Sequence, residues 1–329
     1  MTGSVVASIA TTDLPLTAVV PRGSTGPTGQ ADEGGDVVLA VDIGGTKMAV
    51  GLVDGNGLVL VSDRISTPHP DDAEQVFGAL TQLVERVRSQ RPEVPGICGV
   101  GCGGPMLAGG ETVSPLNIHA WRGFPLRRRL AAALGLPVAV DNDAKALALG
   151  EGWIGAAQGE DDYLAMVVST GIGGGIVLGG RLLDGAQGNA GHIGHVVVEP
   201  DGRPCVCGGR GCLEAEASGL SIEAATGRPP SDAPEPVRRR AGTMVGRAVA
   251  SVANLLDLEL AVVAGSVALG FGSAFFDAAQ EEVGMRARLD FSRATRIIPA
   301  GLGGDGPLVG AAAVGRRAQA AIAEGRVRQ

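Results

Sequence analysis

The sequence predicts an α/β protein of two related lobes, each a mixed or parallel sheet flanked by helices. Three observations predict it. Apolar runs of strand length alternate with stretches of helical spacing from Val37 onward. A strand, a glycine turn and a hairpin occur twice. Asp42 and Thr170 fall in corresponding places, and their separation of about 128 residues is too long for a solenoid repeat. The 54 glycines stand against only Phe 6, Trp 2 and Tyr 1, and they gather in short turns between apolar runs, as tight βα turns require.

In the first lobe, residues 37–41 form a continuous apolar run that stops at Asp42 and Gly44-Gly45. Residues 48–53 and 58–62 read as strands, with a hairpin signal at Asp54-Gly55-Asn56-Gly57 between them. The spacing of Val76, Leu80, Leu83, Val84 and Val87 predicts a helix over 71–88. Residues 97–100 read as a buried strand, 125–134 as a helix, 138–140 as a strand and 144–154 as a helix. In the second lobe a strand at 163–168 leads into a glycine-rich loop, 169–175, then short strands at 176–178 and 181–183. Residues 241–256 form a long helix and 260–263 a strand, and 305–318 contain a small-residue helix able to return to the first lobe. The expected organisation is a leader at 1–35, a first lobe at 36–143 with a helix at 307–325 packing back on it, and a second lobe at 144–306.

Composition excludes several classes. The chain of 329 residues is 45% apolar and 19% charged, enough to bury a sizeable core. Its net charge is −8, and its basic runs, 127–129 and 238–240, are short solvated faces, so no nucleic-acid footprint exists. No apolar run reaches the ~20 residues that cross a bilayer. Residues 1–35 are rich in Thr, Gly, Ser and Pro; their first basic residue is Arg22, and Asp13 and Pro15 break the weak apolar run. They do not make a secretory signal and read as a disordered leader or an over-extended gene start. Five cysteines, an odd number, in an acidic chain point to a reducing, cytoplasmic setting.

Four constellations carry chemistry. In the first, Gly44 and Gly45 at a strand-to-strand turn let backbone N–H groups approach an anion, with Thr46 and Lys47 adding a hydroxyl and a charge. Asp42, at the strand end, is placed to hold a Mg²⁺ water. The second offers Ser169, Thr170, Gly171, Gly173 and Gly174 in the same style, without the Gly-Lys-Ser/Thr ending of a P-loop and without the helix of a dinucleotide site. Two matched turns facing each other could clamp the β- and γ-phosphates of ATP. The third is His195 with Cys205, Cys207 and Cys212, the four nitrogen and sulfur ligands of a closed structural Zn²⁺ site, in an insertion at 190–214. The fourth is Asp141-Asn142-Asp143 at a helix start, where capping alone is one explanation. Beside phosphate turns, either aspartate could serve as the base that takes a hydroxyl proton, and Asn142 could orient that hydroxyl.

Taken in order, residues 41–47, 169–175, 190–195 and 205–214 resemble the motifs of the ROK family of sugar kinases and repressors, and the match runs over about 37–318. The resemblance implies an actin-like, ribonuclease-H-type fold with the site in the cleft between lobes. It implies Asp143 as the base, Mg-ATP between the two turns with Gly265 in the adenosine region, and sugar contacts from Asn117, Asn142, Asp143, His195 and Glu214. It also implies a homo-oligomer, dimer or tetramer. Asn117 lies in Pro115-Leu116-Asn117-Ile118, followed by Trp121-Arg122-Gly123, which is similar to the glucokinase branch. His192, on the same wall as the sugar contacts, stands where many family glucokinases carry Glu. N-acetylmannosamine kinases of bacteria share the Gly-His-x-Gly-His pattern. Lys145 stands where Asn or Gln is common.

The expected activity is therefore ATP-dependent phosphorylation of a hexose, glucose at its 6-hydroxyl first and N-acetylmannosamine or another modified sugar second. A sugar-responsive repressor would need a helical DNA-binding domain of roughly 60–80 residues ahead of the lobes, which the leader does not supply.

Overall fold

The computed structural model describes residues 37–69 and 71–325. The expectation for the leader at 1–35 lies outside the described residues.

Two five-stranded sheets share one plan. The first runs in the order β3-β2-β1-β4-β5, from β1 (Val38–Ile43), β2 (Lys47–Val53), β3 (Val59–Ser66), β4 (Ile97–Cys102) and β5 (Val138–Asn142). The second runs β8-β7-β6-β9-β10, from β6 (Tyr163–Val168), β7 (Ile172–Leu178), β8 (Arg181–Leu182), β9 (Leu260–Ala264) and β10 (Arg296–Pro299). In each, three antiparallel strands form a hairpin meander and two further strands add in parallel. Parallel neighbours need crossovers, and helices supply them. In the first lobe these are α1 (Ala73–Arg88) and α2 (Leu126–Leu134). In the second they are α4 (Leu213–Ala217), α5 (Gly219–Thr226) and α6 (Glu235–Leu256) before β9, then α7 (Ser266–Phe271) and α8 (Ser273–Arg286) before β10.

The expected periodicities have clear physical origins. Helix α1 starts at the N-cap Asp72, whose carboxylate accepts from Glu74 N, and it buries Val76, Phe77, Leu80, Leu83, Val84 and Val87. Burial of each large side chain on that face stabilises the lobe by about 1.5–3 kcal/mol before entropy is counted. Helix α6 begins at Glu235 rather than at 241, because its first six residues, which include Arg238–Arg240, show no apolar period. Helix α8 shows little period because its buried face holds Phe275, Ala278, Ala279, Val283 and the carboxylate Glu282.

Two helices connect the sheets. Helix α3 (Asp143–Ile154) leaves β5 and packs against β6 and β7. Helix α9 (Gly306–Ala323) packs against α3, and its Leu308, Ala311 and Ala312 join Val38, Ala40 and Ile97 of the first sheet. Fully buried Glu151 of α3 accepts from Ala156 N, Gly301 N and Leu302 N, tying α3 to the segment that leads into α9.

One expectation needs correction. The glycine-rich loop expected over 169–175 is a turn only as far as Gly171, and residues 172–175 are strand, with Gly173, Gly174 and Gly175 opposite Val167, Met166 and Ala165. These glycines serve packing. A Cβ at Gly175 would lie 2.7 Å from Ala148 Cβ and 2.9 Å from Lys145 Cα, and one at Gly173 would lie 3.0 Å from Ala144 Cβ. The missing side chains let α3 lie close on the strand.

Candidate active site between two glycine turns

The first turn closes the β1–β2 hairpin. Gly44 N donates to Lys47 O (3.0 Å), Thr67 Oγ1 donates to Gly44 O (2.7 Å), and Thr67 N donates to Thr46 O (3.0 Å). Thr46 and Lys47 are exposed at the tip. Asn117 presses on the turn so closely that a Cβ at Gly45 would lie 2.3 Å from its Cβ. The Asn117 loop is held by Arg122, whose Nη1 donates to Pro115 O (2.8 Å), Ile118 O (3.0 Å) and Trp121 O (2.9 Å).

The second turn, residues 169–171, is held from outside. Gly219 N donates to Ser169 O (2.7 Å) and Leu220 N to Thr170 O (3.3 Å), while the Ser169 and Ser266 hydroxyls are 3.0 Å apart. Gly265 precedes α7 with φ 102°, and a Cβ there would lie 2.2 Å from Val168 O, so only glycine fits where β9 meets β6.

Asp42 and Asp143 approach one another across Gly101, which has Asp42 Oδ1 and Asp143 Cα on its open side. Burial and the neighbouring Asp143 charge push Asp42 up to about 7, against the pull of Lys47. Asp143 opens α3 after the N-cap Asn142, whose Oδ1 accepts from Ala144 N (3.0 Å). That bond occupies the amide oxygen, and the rest of the amide lies beside the Asp143 carboxylate. Asp143 faces open space yet lies deep in the protein mass. This surrounding raises its pKa, while hydrogen bonds from Ala144 N and Asn142 and the nearby His192 act the other way. Asp141 is occupied elsewhere. It pairs with Lys145 Nζ (3.0 Å) and with Arg317 Nη1 (3.5 Å), so of the two aspartates only Asp143 faces the cleft unpaired by a cation.

Lys145 therefore does not enter the cleft. It is buried against Asp141, Asp184 Oδ1 (2.8 Å) and Gly188 O (3.2 Å), and Arg317 completes the network through Asp184 Oδ2 (2.8 Å). This network anchors the loop that ends at His192. His192 lies within the field of Asp143 and Glu214, and its pKa falls mainly through burial and the nearby His195.

His195, Cys205, Cys207 and Cys212 place their ligand atoms within 4.8 Å of one another. The Cys207 and Cys212 sulfurs are 3.7 Å apart, as are Cys205 Sγ and His195 Nδ1. Bonds of ~2.3 Å from a tetrahedral zinc to sulfur put ligand atoms about 3.7–3.8 Å apart, so the four residues fit that ion. The Gly209 N–H and the adjacent sulfurs hold the Cys207 thiol below its ordinary range, favouring a thiolate ligand.

Residues 38–318 match the ROK family. The chain belongs to the ROK family. An N-acetylmannosamine kinase of Yersinia pestis (strain Pestoides F) is 36% identical over 250 residues, 71% of this chain and 84% of that one. A glucokinase of Thermotoga maritima is 41% identical over 187 residues, 56% of this chain and 58% of that one. The crystal structure of a ROK family glucokinase from Streptomyces griseus, in complex with glucose and AMPPNP, superposes with a TM-score of 0.74 at 32% identity, covering 85% of this chain and 99% of that one. The fold of this ROK chain is the actin-like one that its motifs implied.

Several residues that shape this ROK site carried no local signal. Thr67, Ser266, Asp184 and Arg317 reach it from distant elements, and none stands in a glycine turn or a metal spacing. Thr67 follows β3 and Ser266 follows β9, strands that do not correspond in the repeat, so the repeat gives no pointer to them either.

Proposed function

We propose that this ROK-family sugar kinase transfers the γ-phosphate of ATP to a hexose hydroxyl, with the 6-hydroxyl of glucose as the leading acceptor. The observation that carries the reading is Asp143: an open carboxylate of raised pKa at a helix start, between two backbone turns. A carboxylate there accepts the proton of the attacking hydroxyl as the phosphoryl group transfers. The turns formed by Gly44, Gly45, Thr46 and Lys47, and by Ser169, Thr170 and Gly171, offer N–H and hydroxyl donors to the phosphates, with Gly173, Gly174 and Gly265 setting their backbone. Asn142 Nδ2, Asn117, His192, His195 and Glu214 form the wall that would orient the sugar.

Mg²⁺ neutralises developing phosphate charge when bound, and Asp42 is the residue that would hold it through a water. Zn²⁺ at His195, Cys205, Cys207 and Cys212 would be structural, because four protein ligands leave no open position. The organisation proposed is a first lobe at 36–143 with the helix at 307–325, a second lobe at 144–306, and a homo-oligomeric cytoplasmic enzyme.

A second acceptor, N-acetylmannosamine, is favoured by His192 in Gly-His-x-Gly-His and by the likeness to the Yersinia pestis kinase. ADP release measured against glucose, mannose, N-acetylglucosamine and N-acetylmannosamine tests both. The reading expects kcat/KM for glucose to exceed the others. Preference for N-acetylmannosamine selects the second acceptor, and no turnover on any sugar contradicts the kinase reading.

A further inference from the structure

We infer that Glu214 positions the second phosphate turn, so that the segment holding the zinc ligands orders the nucleotide side of the site as well as the sugar side. The inference rests on the kinase reading above.

Besides the Ser169–Ser266 hydroxyl contact, three hydrogen bonds hold the turn from outside, and these three come from one short stretch of chain. Gly219 N reaches Ser169 O (2.7 Å), Leu220 N reaches Thr170 O (3.3 Å), and Glu214 Oε2 accepts from Ile172 N (2.9 Å). Of these, only Glu214 uses a side chain. Its carboxylate also fills the space over Gly171, where a Cβ would lie 2.9 Å from Oε2. Glu214 stands on α4 two residues after the ligand Cys212, which is the N-cap of that helix. Ser221 Oγ donates back to Glu214 O (2.9 Å), which ties α4 to the start of α5 and so to Gly219 and Leu220. The path from metal ligand to turn is therefore continuous and short.

A carboxylate beside a polyphosphate site repels it, a cost that a hydrogen-bond donor or a cation must offset. Here Oε2 is engaged by the Ile172 N–H, which fixes the direction of the strand as it leaves the turn. The other oxygen, Oε1, has no hydrogen-bond donor among the described residues, and the carboxylate lies within the field of His192. One carboxylate can thus serve both halves of the site: Oε2 holds the turn, and Oε1 is left free to accept from a hydroxyl.

The test is calorimetric binding of a non-hydrolysable ATP analogue with Mg²⁺, in the absence of sugar, to wild type, Glu214→Gln and Glu214→Ala. Zinc content and Tm are measured alongside. A hydrogen bond to a charged group corresponds to roughly 10–100-fold in an equilibrium constant. Glu214→Ala is expected to weaken the analogue by at least ~10-fold. Glu214→Gln, whose amide oxygen can still accept from Ile172 N, is expected to stay within ~3-fold. Should Glu214→Ala lose its zinc or fold, Glu214→Asp keeps the charge but draws the carboxylate back from Ile172 N, and it is expected to weaken the analogue similarly. Analogue binding by a folded Glu214→Ala, or by Glu214→Asp, equal to wild type overturns the inference and leaves Glu214 to the sugar alone. Failure of wild type itself to bind the analogue overturns the kinase reading instead.

Discussion

Asp42 and Asp143 share one crowded place, and burial there raises both carboxyls. Asp143 must be ionised to accept a proton, and its pKa is raised by the surrounding protein mass. Activity should therefore fall as pH falls through that raised value, with an acid limb above the ordinary carboxylate range; a kcat/KM profile checks this. Asp42 is pushed up to about 7 from 3.8. A carboxyl whose folded pKa is raised lends its stability below the unfolded value and loses it as pH rises through the folded value. The ligand-free protein should thus lose up to about 4 kcal/mol from Asp42 between pH ~4 and ~7. Asp42→Asn should raise Tm at pH 8, give little gain at pH 4, and lower turnover, as thermal melts at both pH values and a kinase assay would register. The local spacing of residues 141–143 left both acids open. Their separation depends on Lys145 and Arg317 claiming Asp141, and Arg317 comes from a helix over 170 residues away in sequence, a contact no local pattern encodes.

At the scale of elements, most strands and the helices with an apolar stripe, such as α1, were legible because burial imposes a period on them, whereas α8 and β10 carried no such signal and were not expected. The second glycine cluster was misread for a physical reason. Glycine serves flexibility, positive φ and close packing alike, and a sequence does not say which. Here Gly173 and Gly175 give α3 room on β7. Gly175→Ala should destabilise the fold by about 1–3 kcal/mol, because backbone at Lys145 must move; chemical denaturation would measure it. The convergence of His195, Cys205, Cys207 and Cys212 was legible, since the four lie within one short span and thiols and imidazole at that spacing can close on one ion. Cys207→Ser should abolish stoichiometric zinc by metal analysis. It should also lower Tm by roughly 5–10 °C, the equivalent of a few kcal/mol in a chain of this size.

At the scale of the molecule, the internal repeat is the organising fact. Two sheets of the same strand order each bring a glycine turn to one cleft, and α3 and α9 connect them. The repeat was visible in the twin motifs, and the matched hairpin meanders follow from it. Invisible in sequence were the long-range ties of this arrangement: Glu151 on Gly301 and Leu302 ahead of α9, and Arg317 of α9 on Asp141 and Asp184. They are single long-range pairs with no periodic signature. The central claim joins the whole arrangement, a phosphate donor on two turns and an acceptor hydroxyl on Asp143. Single-turnover phosphoryl transfer from ATP to the preferred hexose, in wild type and Asp143→Asn, tests it most directly. The expected result is one sugar phosphate per ADP in wild type and a rate lowered by roughly 10²–10⁴-fold in the variant, with sugar affinity within ~3-fold. Transfer by Asp143→Asn at a near-wild-type rate would contradict it.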